Sequence, residues 1–318
     1  MTLYEKFRQG DRRALGRLIS VIENREDGYR EVLSKLATEP RHAYRIGITG
    51  PPGAGKSTLV DQIVAAYVEQ GRKVAVIAVD PSSPFTGGAL LGDRIRMQRL
   101  AKLGEIFIRS MASRGKSGGL AAATRDVMVA LDAFGADIII IETVGIGQIE
   151  LDIVDTCDTV VVALVPESGD IIQTMKAGLM EIADIFCVNK IDREGGERLL
   201  TILGRLVHER LGLDDKEFAP VGTNAIGGEG IEELMSRLTE HRTYVEQTGL
   251  FEQRRRRQMR AEVLDIIKER IARYLKRHPD IAAALDRVSG ELTAGQTDPY
   301  TAADDIFEQY FRGRLIDG

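Results

Sequence analysis

The stretch YRIGITGPPGAGKSTLVDQIVAAYVEQG, residues 44–71, decides the fold. Its first six residues form a short, continuous apolar run, which predicts a buried strand. The segment TLVDQIVAAYVEQG, 58–71, has a helical pattern and closes on Gly71. Between them GPPGAGKST, Gly50 to Thr58, fits G-x-x-x-x-G-K-[ST], the phosphate-binding loop, in the strand–loop–helix context that the motif requires. Gly50, Gly53 and Gly55 permit backbone conformations and close approaches that a Cβ would block. Pro51, Pro52 and Ala54 complete the loop. Its N–H groups, and those opening the helix through Thr58, face phosphate oxygens. Lys56 neutralises charge on the β- and γ-phosphates, and the Ser57 hydroxyl ligates magnesium.

Six further apolar runs follow: 73–80, 105–110, 137–143, 158–165, 183–189 and 217–222. They are β-branched and continuous rather than alternating, as in parallel strands covered on both faces. Helical patterns separate them. The expected fold class is therefore α/β, a P-loop NTPase with a doubly wound, mainly parallel sheet and helical N- and C-terminal extensions. The expected divisions are a helical extension at 1–42, a nucleotide domain at 43–245 and a helical arm at 246–318. The extension carries Leu15, Leu18, Ile19 and Ile22 near helical spacing, then Tyr29, Val32, Leu33 and Leu36. The arm carries Met259, Val263, Ile266, Ile267, Ile271, Tyr274 and Leu275 on one stripe, which needs the main domain or another subunit to cover it.

A P-loop site needs carboxylates at neighbouring strand ends to place magnesium and water. Asp80 ends the run KVAVIAVD, Glu142 ends DIIIIE, and Asp93 lies between them in GALLGDRIRM. Gly145, three residues after Glu142, is placed to sense the γ-phosphate through its N–H. NKID, Asn189 to Asp192, follows the run ADIFCV and matches N-K-x-D. Asp192 can accept two hydrogen bonds from guanine, from the ring N–H and the exocyclic amine. Adenine offers neither, so its rejection by about 10⁴-fold is expected. Lys190 lays its stem over the base, and Asn189 ties loops together. Thr223, Asn224 and Ala225 supply backbone N–H groups toward the guanine oxygen.

The 318 residues are 43% hydrophobic and 29% charged, with a net charge of −5, a globular profile that calls for no nucleic-acid or membrane partner. RRRR at 254–257 has acidic residues interleaved nearby and reads as a solvated helix face. Cys157 and Cys187 read as small buried hydrophobes. His42, His208, His241 and His278 are scattered and read as surface residues. No run of eighteen apolar residues exists, and the N-terminus has no apolar signal core, so a cytoplasmic protein is expected.

Five segments in order, GPPGAGKSTLVD, VDPSSPFTGGALLGDRIRM, SMASRGKSGGLA, ETVGIGQIELD and VPESGD through NKID, resemble the MeaB/ArgK family of SIMIBI-class GTPases. The likeness runs from about residue 5 to 275. It implies a GTP-hydrolysing chaperone that gates adenosylcobalamin loading and protects or reactivates an acyl-CoA mutase, chiefly methylmalonyl-CoA mutase. It also implies a homodimer with the C-terminal helices in its contact. By that resemblance Lys56 and Ser57 hold phosphate and metal, and Asp80, Asp93 and Glu142 surround Mg2+. Asp192 reads guanine, and 166–176 responds to nucleotide and partner, with Lys176 near the nucleotide. The chain departs from the family at Ile149 and Glu167, which stand where a small polar residue and a glycine are common. Gln148 is a candidate water-positioner. Arg94, Arg96 and Lys116 are weaker candidates for a transition-state cation, so a slow basal rate that a partner raises is expected. The alternatives are a metal-insertion GTPase, which usually displays His- or Cys-rich segments absent here, and a nucleotide-gated interaction protein whose hydrolysis is incidental.

Overall fold

The computed structural model describes residues 1–39, 43–80, 106–112, 122–143, 153–167, 180–211 and 219–315. Seven strands form one all-parallel sheet in the order β3-β2-β4-β1-β5-β6-β7. They are β1 (Tyr44–Thr49), β2 (Val74–Asp80), β3 (Ile106–Ala112), β4 (Ile138–Thr143), β5 (Thr159–Leu164), β6 (Ile185–Asn189) and β7 (Val221–Thr223). β1 is central, flanked by β4 and β5, and the chain winds outward from it in both directions. That leaves the crevice beyond the C-terminal end of β1 as the place for a ligand. Six of the seven runs match their strands within a few residues. The seventh was expected at 217–222, but Pro220 has no N–H to give a ladder, and the strand starts after it.

Both faces of the sheet are covered. One packs against α1 (Leu3–Arg8), α2 (Arg12–Asn24), α3 (Tyr29–Ala37), α5 (Ala122–Ala133) and α6 (Gly196–Leu211). Leu15, Leu18, Ile19 and Ile22 of α2 are fully buried there, in the same apolar cluster as the strand residues Ile139, Ile141 and Val162. The other face packs against α4 (Lys56–Glu69) and α7 (Ile231–Gln247), through Leu59, Ile63, Leu234 and Leu238. Both cysteines are buried and unoxidised.

The chain divides into two compact units, Met1–Arg255 and Arg256–Gly318. The first includes α1–α3 and the whole sheet. The division falls within α8 (Leu250–Arg277), which is followed by α9 (Pro279–Thr293) and α10 (Pro299–Leu315). In the second unit Ile281, Ala284 and Val288 of α9 are buried, while Met259, Val263, Ile266, Ile267, Ile271 and Tyr274 of α8 are each 42–55% exposed. Among the described residues no helix is long and apolar enough to cross a membrane.

Two surface expectations are corrected at the N-terminal ends of β5 and β6. Arg254 and Arg255 are not a solvated face. Arg255 forks onto the fully buried Asp158 at 2.5 and 2.6 Å, and Arg254 onto Asp184 at 2.6 and 2.9 Å. His241 is likewise buried, bonded to Thr159 Oγ1 at 2.8 Å, and Thr159 in turn meets the Tyr44 hydroxyl. Partners 70 to 97 residues away in the chain turn these polar groups inward, because a buried carboxylate is tolerated only with a paired charge.

Candidate nucleotide-binding site

Beyond β1 the chain turns through residues 50–55 and enters α4. Gly50 lies so close to β5 that an added Cβ would sit 2.0 Å from the Ala163 carbonyl oxygen. Gly55 is the N-cap of α4 in the left-handed region, φ 79°, with no side-chain cap hydrogen bond. The helix start at Ser57 and Thr58 therefore lies next to the positive end of the α4 dipole, with no side chain at the cap to cover it. The loop and α4 line an open cleft of about 540 Å³ together with Glu142 and Lys190.

Lys56 is buried and its ammonium donates to the Gly50 and Pro51 carbonyls at 2.7 and 2.9 Å. That brings a positive charge into the curl of the loop. Opposite it, the Ser57 hydroxyl donates to Glu142 at the end of β4. Glu142 is only 7% exposed, and beside it the Thr143 hydroxyl donates to Thr49 Oγ1 at 2.9 Å, joining the ends of β4 and β1. Ser57 and Glu142 thus present two hard oxygen donors side by side at the cleft, a set suited to Mg2+, which takes one or two carboxylates and fills its shell with phosphate oxygens and water. The backbone of Asp80 ends β2, while its side chain lies outside the described residues. Asp93, Arg94, Arg96, Lys116, Gly145, Gln148 and Lys176 also lie outside them.

The N-K-x-D segment reaches the same cleft from β6. Asn189 is buried and knits three pieces together. Its Nδ2 donates to the Ala54 carbonyl at 2.8 Å, and its Oδ1 accepts from the Thr223 hydroxyl at 3.2 Å and from the Ala225 N–H at 3.1 Å. Lys190 turns through the left-handed region, φ 57°, and its ammonium donates to the Gly53 carbonyl at 2.8 Å. Ile191 N–H donates to the Thr223 carbonyl at 3.0 Å, and Asp192 beyond it is exposed. Glu167 pairs with Arg193, which lowers the Glu167 carboxyl's pKa, chiefly through that hydrogen bond. Residues of the loop and of α4, Glu142 and Lys190 thus line one cleft, and the hydrogen bonds of Asn189 tie 223–225 to the loop beside it.

A profile of the family described as methylmalonyl-CoA mutase-associated GTPase MeaB matches residues 15–280. The chain belongs to the MeaB family. A protein of Pyrococcus abyssi named as a GTPase is 46% identical over 323 residues, covering 98% of this chain and 97% of its own. The mitochondrial methylmalonic aciduria type A homolog of Caenorhabditis elegans is 31% identical, covering 97% of this chain and 82% of its own. A crystal structure of a LAO/AO transport system kinase superposes with a TM-score of 0.71 at 25% identity, covering 96% and 95% of the two chains. This MeaB-family chain is accordingly a P-loop GTPase, and its nucleotide is a guanine nucleotide.

Two polar contacts of the MeaB-family site carry no signal in the sequence. One is the Thr143–Thr49 pair. The other is Gln62 on α4, whose amide donates to the Ala225 carbonyl at 2.8 Å. Both join segments far apart in the chain, with no motif to mark them.

Proposed function

We propose that this GTPase serves an adenosylcobalamin-dependent acyl-CoA mutase, methylmalonyl-CoA mutase above all. In this reading it gates cofactor loading and protects or reactivates the mutase at the expense of GTP. The observation that carries the reading is the family match over residues 15–280, to a family described by its association with methylmalonyl-CoA mutase. The relative named for methylmalonic aciduria supports it.

Within the site, the loop 50–58 holds the phosphates, with Lys56 supplying charge. Ser57 and Glu142, joined by Asp80 and Asp93, hold Mg2+. When bound, Mg2+ would offset the negative charge of the phosphate oxygens. Lys56 and the N–H groups opening α4 orient the γ-phosphate for in-line attack. Asp192 and 223–225 read the base, and Asn189 keeps both attached to the phosphate loop. The exposed stripe on α8 is the face on which two copies pair, because an apolar stripe of this length on a soluble chain needs a partner surface.

The test is the GTP hydrolysis rate with and without a purified cobalamin-dependent acyl-CoA mutase, with ATP as the control nucleotide. Stimulation of at least tenfold, confined to GTP, is the expected result. Tight GTP binding with no response to any such mutase overturns the chaperone reading and leaves the GTPase.

A further inference from the structure

Gln62 stands on α4 six residues after Lys56, outside the phosphate loop and outside N-K-x-D. Its Nε2 reaches across the cleft wall to the Ala225 carbonyl at 2.8 Å. Ala225 is thereby held on three sides. Its methyl group is buried in the apolar cluster to which Leu59, Ile63, Ile231 and Leu234 also belong. Its N–H meets Asn189 Oδ1 at 3.1 Å, and its carbonyl meets Gln62. The next residue, Ile226, is 83% exposed, and the turn beyond it closes back on Asn224, whose carbonyl accepts from the Gly228 N–H at 2.8 Å and whose N–H donates to the Glu229 carbonyl at 3.0 Å. A backbone N–H that must meet one atom of a base depends on its residue being held, since a peptide that swings by an ångström loses the bond.

We propose that Gln62 is a specificity-positioning residue. It docks segment 223–225 onto the helix that begins with the phosphate-binding residues, and so sets where the Ala225 N–H, shared with Asn189 Oδ1, meets guanine O6. The inference rests on the reading of 223–225 as base-contacting. A fixed N–H at that point rewards a carbonyl acceptor and opposes the amine that adenine carries at the same position. Gln62 touches no nucleotide atom in this role and acts through Ala225.

Two analogues separate the base contacts. 6-thio-GTP keeps the ring N–H and the amine that Asp192 would read, but replaces O6 with sulfur, a poor acceptor. ITP keeps O6 and lacks the amine. In the whole protein, competition against a fluorescent GDP analogue gives affinities, and turnover gives KM and kcat. Losing one neutral hydrogen bond corresponds to about a fivefold change. Gln62→Met should weaken GTP binding about five- to tenfold and bring the GTP to 6-thio-GTP ratio toward one. The GTP to ITP ratio and kcat at saturation should stay unchanged. Gln62→Lys, which keeps a donor, should retain the 6-thio-GTP discrimination. If Gln62→Met lowers the unfolding temperature, Gln62→Glu, of the same shape but without the donor, gives the same reading. A wild-type protein that does not distinguish GTP from 6-thio-GTP overturns the base-contact reading itself. A wild-type protein that does, beside a Gln62→Met variant that keeps the full ratio, overturns the role of Gln62.

Discussion

Gly53 and Gly55 have almost the same left-handed backbone, φ 78° and 79°, yet a Cβ added to each would meet opposite surroundings. At Gly53 nothing lies within 4 Å, whereas at Gly55 the new atom would stand 2.4 Å from Asn189 Nδ2. The two alanine variants therefore share the backbone strain and differ in one contact. The strain is about 1 kcal/mol. It enters the binding free energy, because a loop exposed at Gly53 can relax in the free protein and must be strained again around phosphate. Gly55→Ala also displaces the Asn189 amide from the Ala54 carbonyl, and both groups are buried. Stranding buried polar groups adds about 1–3 kcal/mol. GDP affinity should fall about fivefold in Gly53→Ala and a further five- to 150-fold in Gly55→Ala. The assay is titration with a fluorescent GDP analogue, beside circular dichroism to show that both variants fold. Affinities within threefold of each other would refute the idea that Asn189 couples the phosphate loop to the base-reading segments.

Asp192→Asn should lower GTP affinity about 100-fold or more and favour xanthine nucleotides, whose oxygen can accept from the new amide; competition binding that finds the preference unchanged removes Asp192 from base reading. Arg255→Ala leaves the Asp158 carboxylate buried with its charge unpaired, at about 3–5 kcal/mol. For a unit of 255 residues this is a fall of about 6–10 °C in Tm by calorimetry, and a fall under 2 °C sinks the estimate. Burial pushes the Asp184 carboxyl up, but hydrogen bonds from His241 and Arg254 outweigh it and hold its pKa at about 2. An unfolded aspartate titrates near about 3.9. The folded value is the lower one, so this stabilisation is complete above about pH 5 and is lost as pH falls toward 2, up to about 2 kcal/mol. Arg254→Met should flatten that acid limb in urea unfolding between pH 5 and 2; a limb of unchanged steepness refutes the assignment.

The sheet was legible because parallel strands are covered on both faces. Runs such as DIIIIET need apolar side chains at every position, and that leaves a signal within six or seven residues. The phosphate loop and N-K-x-D were legible for a related reason. Close approach to phosphate and pairing with a base edge each demand particular residue types at fixed spacing. The end of the sheet away from the cleft offered no such pattern. Arg254 and Arg255 sit in a run that any solvated helix could carry, and only the fold brings Asp158 and Asp184 beneath them. His241 was obscure in the same way, since its partners Thr159 and Asp184 come from other elements.

Asn189 and Gln62 show where that boundary runs through the site itself. Each is a carboxamide, and each holds Ala225, one by its N–H and the other by its carbonyl. Asn189 was legible because it belongs to a motif whose other members face the ligand. Gln62 was not, because its task is to hold one carbonyl 163 residues away, and a polar residue on a helix has many other uses. Chemistry with the nucleotide fixes residue types along the chain, whereas the alignment of its phosphate-binding and base-reading parts depends on contacts that form only in the folded protein. Base specificity in this GTPase should therefore be sensitive to residues that never meet the base, and Gln62 is one position where that sensitivity is expected.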